Sequence, residues 1–264
     1  MLPSLLTTGN LFCGFYSIIA SLQGKFDKAA WVFILAGLFD VLDGRVARLT
    51  RSSSEFGTQY DSLCDLVSFG VAPSILAFQL GLAGFGRIGW VVCFIYVACG
   101  ALRLARFNVQ SSLGAASGDF TGLPIPMAAG AILSWVVLGI HFKTEYPNTE
   151  ISWLQNIIWF FNHESLSLIV LAVLIFMVGI FMVSNFKFRS HKTLISNKEK
   201  PFRILVYIIL LGAMAMINPE VAAFIIFWGY LVWGLSDYLL GWKKATEEEE
   251  IFEAHKDGDS VMEP

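Results

Sequence analysis

The sequence predicts an all-α integral membrane protein with eight transmembrane helices. Of its 264 residues, 56% are hydrophobic and only 15% are charged, whereas a soluble domain carries roughly a quarter charged residues. The apolar residues also form long blocks, and a helix needs about 20 mostly apolar residues to cross the hydrocarbon layer of a membrane. Eight segments come near that length, at residues 5–23, 30–48, 58–80, 88–107, 123–142, 166–186, 202–218 and 221–240.

Two of these segments need a separate argument. The apolar part of 202–218 is short, and only Asn218, Pro219 and Glu220 separate it from the last segment, so six or seven spans are the alternatives. The first segment lacks the basic region and cleavage site of a signal peptide, and we interpret it as a helix. Because no linker or repeat divides the chain, we predict one polytopic catalytic membrane domain at 1–242 and a disordered, acidic cytoplasmic tail at 243–264.

The basic residues are distributed unevenly between the two sides of the predicted membrane domain. With eight helices and a cytoplasmic N-terminus, 14 of the 18 lysines and arginines fall on the cytoplasmic side. The other four are Lys25, Lys28, Arg87 and Lys143. This bias is the positive-inside pattern of the cell membrane, so we expect both termini and any site near the arginines to face the cytoplasm. The basic loop at 187–203 is suited to anionic membrane lipids, and we expect no nucleic-acid partner.

Two further features have simple interpretations. Residues 143–165 mix aromatic and polar side chains, which is typical of an amphipathic loop at the membrane interface on the outer side. The four cysteines lie within predicted helices and form no C-x-x-C pair, so we interpret them as buried small residues rather than disulfides or metal ligands. They are Cys13, Cys64, Cys93 and Cys99.

Four aspartates fall within the predicted membrane helices. Asp40 and Asp43 lie three residues apart near the cytoplasmic end of the second segment, and Asp61 and Asp65 lie four apart near the start of the third. These spacings place each pair on one helical face, and the two helices run antiparallel with a short connection. Because a charged side chain in the membrane costs several kcal/mol, such residues are by default candidates for function.

Four clustered carboxylates repel one another unless cations lie between them. Oxygen ligands suit Mg²⁺ or Mn²⁺, with Ca²⁺ as a further candidate, and two such ions can stabilise the attacking and leaving oxygens of a phosphoryl transfer. Salt bridges to Arg45, Arg48 or Arg51 are the simpler interpretation, but three arginines cannot neutralise four acids. A cation or proton transporter is another candidate class, although transporters usually place their charged groups along a pathway near the midplane.

Small residues accompany the aspartates. Gly44 and Ala47 leave room beside the second helix for a bulky ligand, and Gly57 permits close approach of a backbone at the start of the third. Small residues in membrane helices also serve helix packing, so this observation is weak by itself.

Residues 40–65 read D-x2-D-G-x2-A-R-x8-G-x3-D-x3-D, which resembles the signature of the CDP-alcohol phosphatidyltransferase family at every fixed position. The resemblance implies a six-helix core, here followed by two C-terminal helices, and a homodimer. It also implies that two divalent cations bind to Asp40, Asp43, Asp61 and Asp65, and that Asp65 is the catalytic base. The residues that would line the CDP site are Gly44, Ala47, Arg48 and Gly57.

Other segments resemble the membrane-integral phosphatidylserine synthases of that family. They are L-L-T-T-G-N-L-F-C-G-F at 5–15, R-L-A-R-F-N at 103–108, F-T-G-L-P-I-P at 120–126 and M-V-S-N-F-K-F at 182–188. This resemblance implies CDP-diacylglycerol and L-serine as substrates, attack of the serine hydroxyl on the lipid-linked phosphorus, and release of CMP. Glycerol 3-phosphate and inositol remain the alternative acceptors.

The acceptor site has four candidate residues. Arg103 and Arg106 lie three apart on one face and could bind the serine carboxylate. The same arginines are also suited to the phosphate of the donor, to lipid head groups or to positive-inside anchoring. Asn108 is expected to add a polar contact to the acceptor, and Asn10 to contact either the CDP group or the acceptor.

Overall fold

A computed structural model describes residues 2–50, 54–112, 120–146, 152–184, 187–188 and 201–236. A π-helical turn, Leu66–Val71, joins α3 to α4, and a 3-10 turn, Leu82–Phe85, precedes α5. Two short strands, β1 (Phe120–Thr121) and β2 (Lys187–Phe188), pair antiparallel. The helices are α1 (Leu2–Leu22), α2 (Phe26–Leu49), α3 (Glu55–Asp65), α4 (Ala72–Leu80), α5 (Arg87–Ser112), α6 (Ile125–Glu145), α7 (Ser152–Asn162), α8 (Glu164–Val183), α9 (Pro201–Ile217) and α10 (Pro219–Ser236).

The predicted all-α membrane architecture is confirmed. Six described helical stretches are long and apolar enough to cross a membrane, and α3, the π turn and α4 together form one of them. The two other predicted spans are also helical: α2 has 24 residues but carries charges towards both ends, and α9 has 17 residues. Crossing of the membrane by α2 and α9 therefore stays a prediction. The acidic tail and most of the basic loop at 187–203 lie outside the described residues.

The segment at 143–165 was predicted as an amphipathic loop, and this prediction was wrong about its local structure. Residues Ser152–Asn162 form helix α7. Ile158 and Phe161, three residues apart, are buried, whereas Trp159 and Asn162 are exposed. The segment is amphipathic as predicted, but its apolar side chains follow the helical period because they pack against the bundle.

Helix α6 forms the centre of the bundle. Its buried stretch is rich in small residues, including Ala128, Ala129 and Ala131, each of which is completely buried. Gly130 lies against the ring of Phe227 in α10, and a Cβ at Gly139 would lie 2.9 Å from the ring of Phe161 in α7. Small residues let neighbouring helices approach closely in membrane proteins, so α6 can contact helices from both halves of the chain.

A proline lies two residues after the π turn that follows Asp65. Residue 73 is proline, which has no backbone N–H and so cannot donate to the carbonyl of Phe69, four residues earlier. The hydroxyl of Tyr96 in α5, which is completely buried, donates to this carbonyl at 2.8 Å. A side chain of α5 therefore compensates for the missing helical bond and attaches α5 to the bend between α3 and α4.

Helix α1 packs closely against the same π turn. A Cβ at Gly14 would lie 2.7 Å from Cα of Ser68, and Ser68 donates to the backbone carbonyl of Asn10 at 3.0 Å. The four cysteines are free, as predicted; three are buried and Cys99 is half-buried.

Replacement of Gly14 by alanine should destabilise the protein, because the added methyl group meets the backbone of Ser68 rather than a movable side chain end. We expect a loss of about 1–3 kcal/mol, seen as a lower Tm in detergent. Gly37 in α2 is the matched control, since a Cβ there meets nothing within 4 Å. Gly37→Ala should be neutral or slightly stabilising, and equal Tm values for the two variants would contradict this account of the packing.

Candidate functional site

The four predicted aspartates converge where α2 and α3 meet. One carboxylate oxygen each of Asp40, Asp61 and Asp65 can be chosen so that all three lie within 4.8 Å of one another. Asp43 stands beside this group, and its carboxylate interacts electrostatically with those of Asp40 and Asp61. The spacings of three and four residues thus place both pairs on facing sides of the two helices.

Several acceptor oxygens at this site lack a donor. Oδ2 of Asp43 and Oδ1 of Asp61 are buried and accept no hydrogen bond from any described residue. Within the described ranges, none of the four aspartates forms an ion pair with lysine or arginine. Arg48 instead donates from Nε to the carbonyl of Gly44 at 2.9 Å. The arrangement fits a divalent cation, because the group consists of hard oxygen ligands that have no ion-paired lysine or arginine among the described residues.

Asn10 approaches the aspartates from α1. Its side chain is completely buried, and Nδ2 donates to Oδ1 of Asp65 at 3.0 Å. Thr7, one turn earlier, lies within hydrogen-bonding reach of Asp43. Thr7 was not predicted as a site residue, although its three-residue spacing from Asn10 places both on one face of α1.

A groove opens beside the aspartates between α1, α2 and α3. The groove has an empty volume of about 680 Å³, which includes solvent space at its opening. Asp43 and Asp61 form part of its wall, and the small residues predicted for the CDP site lie next to them. The lining residues are Pro3, Ser4, Thr7, Asp43, Gly44, Ala47, Ser54, Gly57, Thr58, Tyr60 and Asp61.

The groove explains why its glycines differ from packing glycines. A Cβ at Gly44 would meet nothing within 4 Å, so this glycine leaves room beside α2 and does not serve contact with another helix. Gly57 belongs to the start of α3, where its N–H donates to the side chain of Ser54, the N-cap residue, at 3.0 Å. Tyr60 was also not predicted as a site residue. Its hydroxyl lies 3.0 Å from the hydroxyl of Thr8 and so connects α3 to α1.

The predicted acceptor residues fall into different environments. Arg103 is buried, its Nε has no partner among the described residues, and it interacts electrostatically with Asp65. Asn108 connects α5 to α3, because Ser62 donates to its Oδ1 at 3.1 Å and its Nδ2 donates to Gln59 at 3.0 Å. Of Arg103 and Asn108, Arg103 is the one that interacts with an aspartate of the cluster.

The side chain of Arg106, a residue of α5, reaches the C-terminal end of α8. Its guanidinium donates to the carbonyls of Val183 at 3.1 Å and Ser184 at 3.4 Å, which have no partner within the helix because they lie at its C-terminus. Gly122 adopts a φ of 83° and packs against Arg106 and the backbone of Met182. Arg106, Gly122 and Met182 belong to three of the segments that carry the resemblance described above, at 103–108, 120–126 and 182–188. These segments therefore meet at this contact.

Two other cavities in the described part of the structure are lined by none of the four aspartates. One, of about 790 Å³ counted to its mouth, is lined by residues of α4, α6, α7 and α8. The other is lined mostly by apolar residues of α2, α6 and α10. Neither contains two carboxylates, so the groove beside α2 and α3 is the candidate site.

Comparisons with known proteins show which family the chain resembles. Residues 1–161 match the sequence model of a family described as CDP-alcohol phosphatidyltransferase. A CDP-diacylglycerol–serine O-phosphatidyltransferase of Helicobacter pylori is 32% identical over 239 residues, which cover 90% of this chain and 91% of the relative. The Bacillus subtilis protein of the same name is 40% identical over 128 residues, which cover 48% of this chain and 70% of the relative. An archaetidylserine synthase of Methanothermobacter thermautotrophicus is 44% identical over 142 residues, which cover 53% of this chain and 59% of the relative.

Removal of one clustered aspartate should weaken cation binding. We expect Asp40→Asn and Asp61→Asn each to lower the affinity of the purified protein for Mn²⁺ by at least about 10-fold, measured from the electron paramagnetic resonance signal of free Mn²⁺. Asp27→Asn is the matched control, because Asp27 is an exposed acid at the other end of α2. Unchanged affinity in both site variants would contradict a cation site at the cluster.

Proposed function

Because the chain belongs to the CDP-alcohol phosphatidyltransferase family, we propose that it transfers the phosphatidyl group of CDP-diacylglycerol to L-serine. The products are phosphatidylserine and CMP. The observation that carries the proposal is the aspartate cluster, whose members Asp43 and Asp61 form one wall of the groove between α1, α2 and α3. This arrangement places carboxylates that form no ion pair with a described lysine or arginine beside a space large enough for a ligand.

The proposed roles on the donor side follow from these positions. Gly44, Ala47 and Gly57 line the groove and accommodate the CDP group, with Arg48 at the exposed surface of α2. Asp40, Asp43, Asp61 and Asp65 hold two divalent cations, Mg²⁺ or Mn²⁺. When bound, such cations would offset the charge of the diphosphate and of the leaving CMP.

On the acceptor side, Asp65 is proposed as the base. The serine hydroxyl loses its proton to the Asp65 carboxylate while its oxygen bonds to the lipid-linked phosphorus and the bond from that phosphorus to CMP breaks. Arg103 is the proposed partner of the serine carboxylate, since its Nε is buried, unpartnered among described residues and close enough to interact with Asp65. Arg106 and Asn108 stay candidates, but their observed contacts connect α5 to α8 and α3.

Serine is the favoured acceptor because the names of the bacterial relatives include it, and the archaeal relative is named for a serine lipid with a different lipid portion. Glycerol 3-phosphate and inositol are the alternatives within the family. A transporter is disfavoured, because the aspartates cluster beside one groove rather than along a path through the bundle.

Two further expectations are part of the proposal. Both termini and the site face the cytoplasm, as the positive-inside bias indicates, and the protein forms a homodimer, as the family resemblance implies. Cysteine labelling from either side of a sealed vesicle tests the first expectation. Chemical cross-linking of the purified protein at several concentrations tests the second.

The activity can be tested directly with the purified protein. We expect incubation with CDP-diacylglycerol, Mn²⁺ or Mg²⁺ and L-serine to give phosphatidylserine, identified by mass spectrometry, and no equivalent lipid with glycerol 3-phosphate or inositol. Treatment with EDTA should abolish turnover, and added Mn²⁺ should restore it. Product formed with another acceptor would reassign the substrate, and full turnover after exhaustive chelation would remove the cations from the proposal.

Asp65→Asn should retain nucleotide binding and lose turnover, because the amide cannot accept the hydroxyl proton. We expect CMP release to fall by about 100-fold or more, as is typical for loss of a general base. Binding of CMP, measured by equilibrium dialysis, should stay near that of the unaltered protein. Near-normal turnover in Asp65→Asn would assign the base to another residue.

A further inference from the structure

Asn10 occupies a position that neither the CDP site nor simple packing explains. Its side chain is completely buried, and it is not among the residues that line the groove. It donates from Nδ2 to Oδ1 of Asp65 at 3.0 Å, across 55 positions of sequence. Because an ionised carboxylate can only accept hydrogen bonds, this contact fixes the orientation of the amide.

The amide has an energetic cost in this place. Its Oδ1 is buried and accepts no hydrogen bond from the described part of the chain. A buried polar atom without a partner costs about 1–3 kcal/mol, and a leucine of similar size would avoid that cost. Unpaired buried polar atoms of this kind are typically found at functional sites. We therefore look for the function of Asn10 in its donor group, Nδ2, which contacts Asp65.

The surroundings of Asn10 hold it in place. Ser68, in the π turn directly after Asp65, donates to the backbone carbonyl of Asn10 at 3.0 Å. Gly14, one turn after Asn10, packs against the backbone of Ser68. Asn10 and Asp65 are therefore fixed to each other twice, once through their side chains and once through the backbone contact of α1 with the π turn.

We propose that Asn10 is a positioning residue that holds the Asp65 carboxylate in the orientation needed to accept the hydroxyl proton. This inference rests on the proposed function, in which Asp65 is the base. Asn10 touches neither substrate on this account and acts only through Asp65. It replaces the sequence-based expectation that Asn10 contacts CDP or the acceptor.

The test compares Asn10→Leu and Asn10→Ala with a matched control. Ser17→Ala removes another buried donor from the same face of α1, where Ser17 donates to the carbonyl of Ala29 at 2.8 Å. We expect both Asn10 variants to lower kcat by about 10- to 100-fold with the KM values for CDP-diacylglycerol and L-serine nearly unchanged. Ser17→Ala should leave both parameters close to those of the unaltered protein. A raised KM at unchanged kcat would make Asn10 a substrate ligand, and a loss of kcat no larger than in Ser17→Ala would make it a packing residue.

A double-mutant cycle separates this inference from the proposed function. If Asn10 acts through Asp65, Asn10→Leu should cause no further loss of turnover in an Asp65→Asn background, and independent, multiplicative losses would overturn the inference. If the unaltered protein converts no acceptor, the proposed function fails, but the Tm values of the same four proteins still test the contact. A combined shift in Tm smaller than the sum of the two single shifts supports the contact, and an additive shift contradicts it.

Discussion

The structure around the site depends on one constraint: four carboxylates lie together at the junction of α2 and α3, and none of them forms an ion pair with a lysine or arginine in the described part of the chain. Like charges in a poorly solvated place destabilise a fold unless something cationic compensates them. A ligand that binds only the folded state adds stability through that binding. On the proposed assignment, the cations that serve the reaction also stabilise the α2–α3 hairpin, so removal of one aspartate affects the chemistry and the fold together.

The two sides of the aspartate cluster differ in rigidity. On one side, Tyr96 donates to the carbonyl of Phe69 in the π turn, four residues before Pro73, and Ser68 donates to the backbone carbonyl of Asn10. These contacts involve three helices and hold Asp65 in place. On the other side, Gly44 faces open space and the groove is lined by small or polar residues. A fixed carboxylate opposite an open groove suits the proposed reaction, in which a large lipid-linked nucleotide enters and leaves while Asp65, the proposed proton acceptor, stays in place.

The sequence predicted the helices and the meeting of the four aspartates, because spacings of three and four residues determine helical faces without any tertiary information. It could not predict what Asn10 and Arg106 contact. Asn10 reaches Asp65 across 55 positions and Arg106 reaches Val183 across 77, and such partners depend on how helices pack rather than on local spacing. Helix α7 was missed for a related reason: its polar residues favoured a loop, and the contacts of Ile158 and Phe161 with the bundle decided otherwise.

The positions of these residues also separate the proposed donor side of the site from the proposed acceptor side. The groove proposed for CDP uses only α1, α2 and the start of α3, which all lie within the region that matches the family. Arg103 lies on α5, whose end is attached to α8 by Arg106 and to α3 by Asn108. The helix that carries Arg103 thus contacts α8, whereas no residue of α8 lines the groove. On the proposed assignment, the acceptor side therefore contacts a helix beyond residue 161, outside the family match, whereas the donor groove lies within the match.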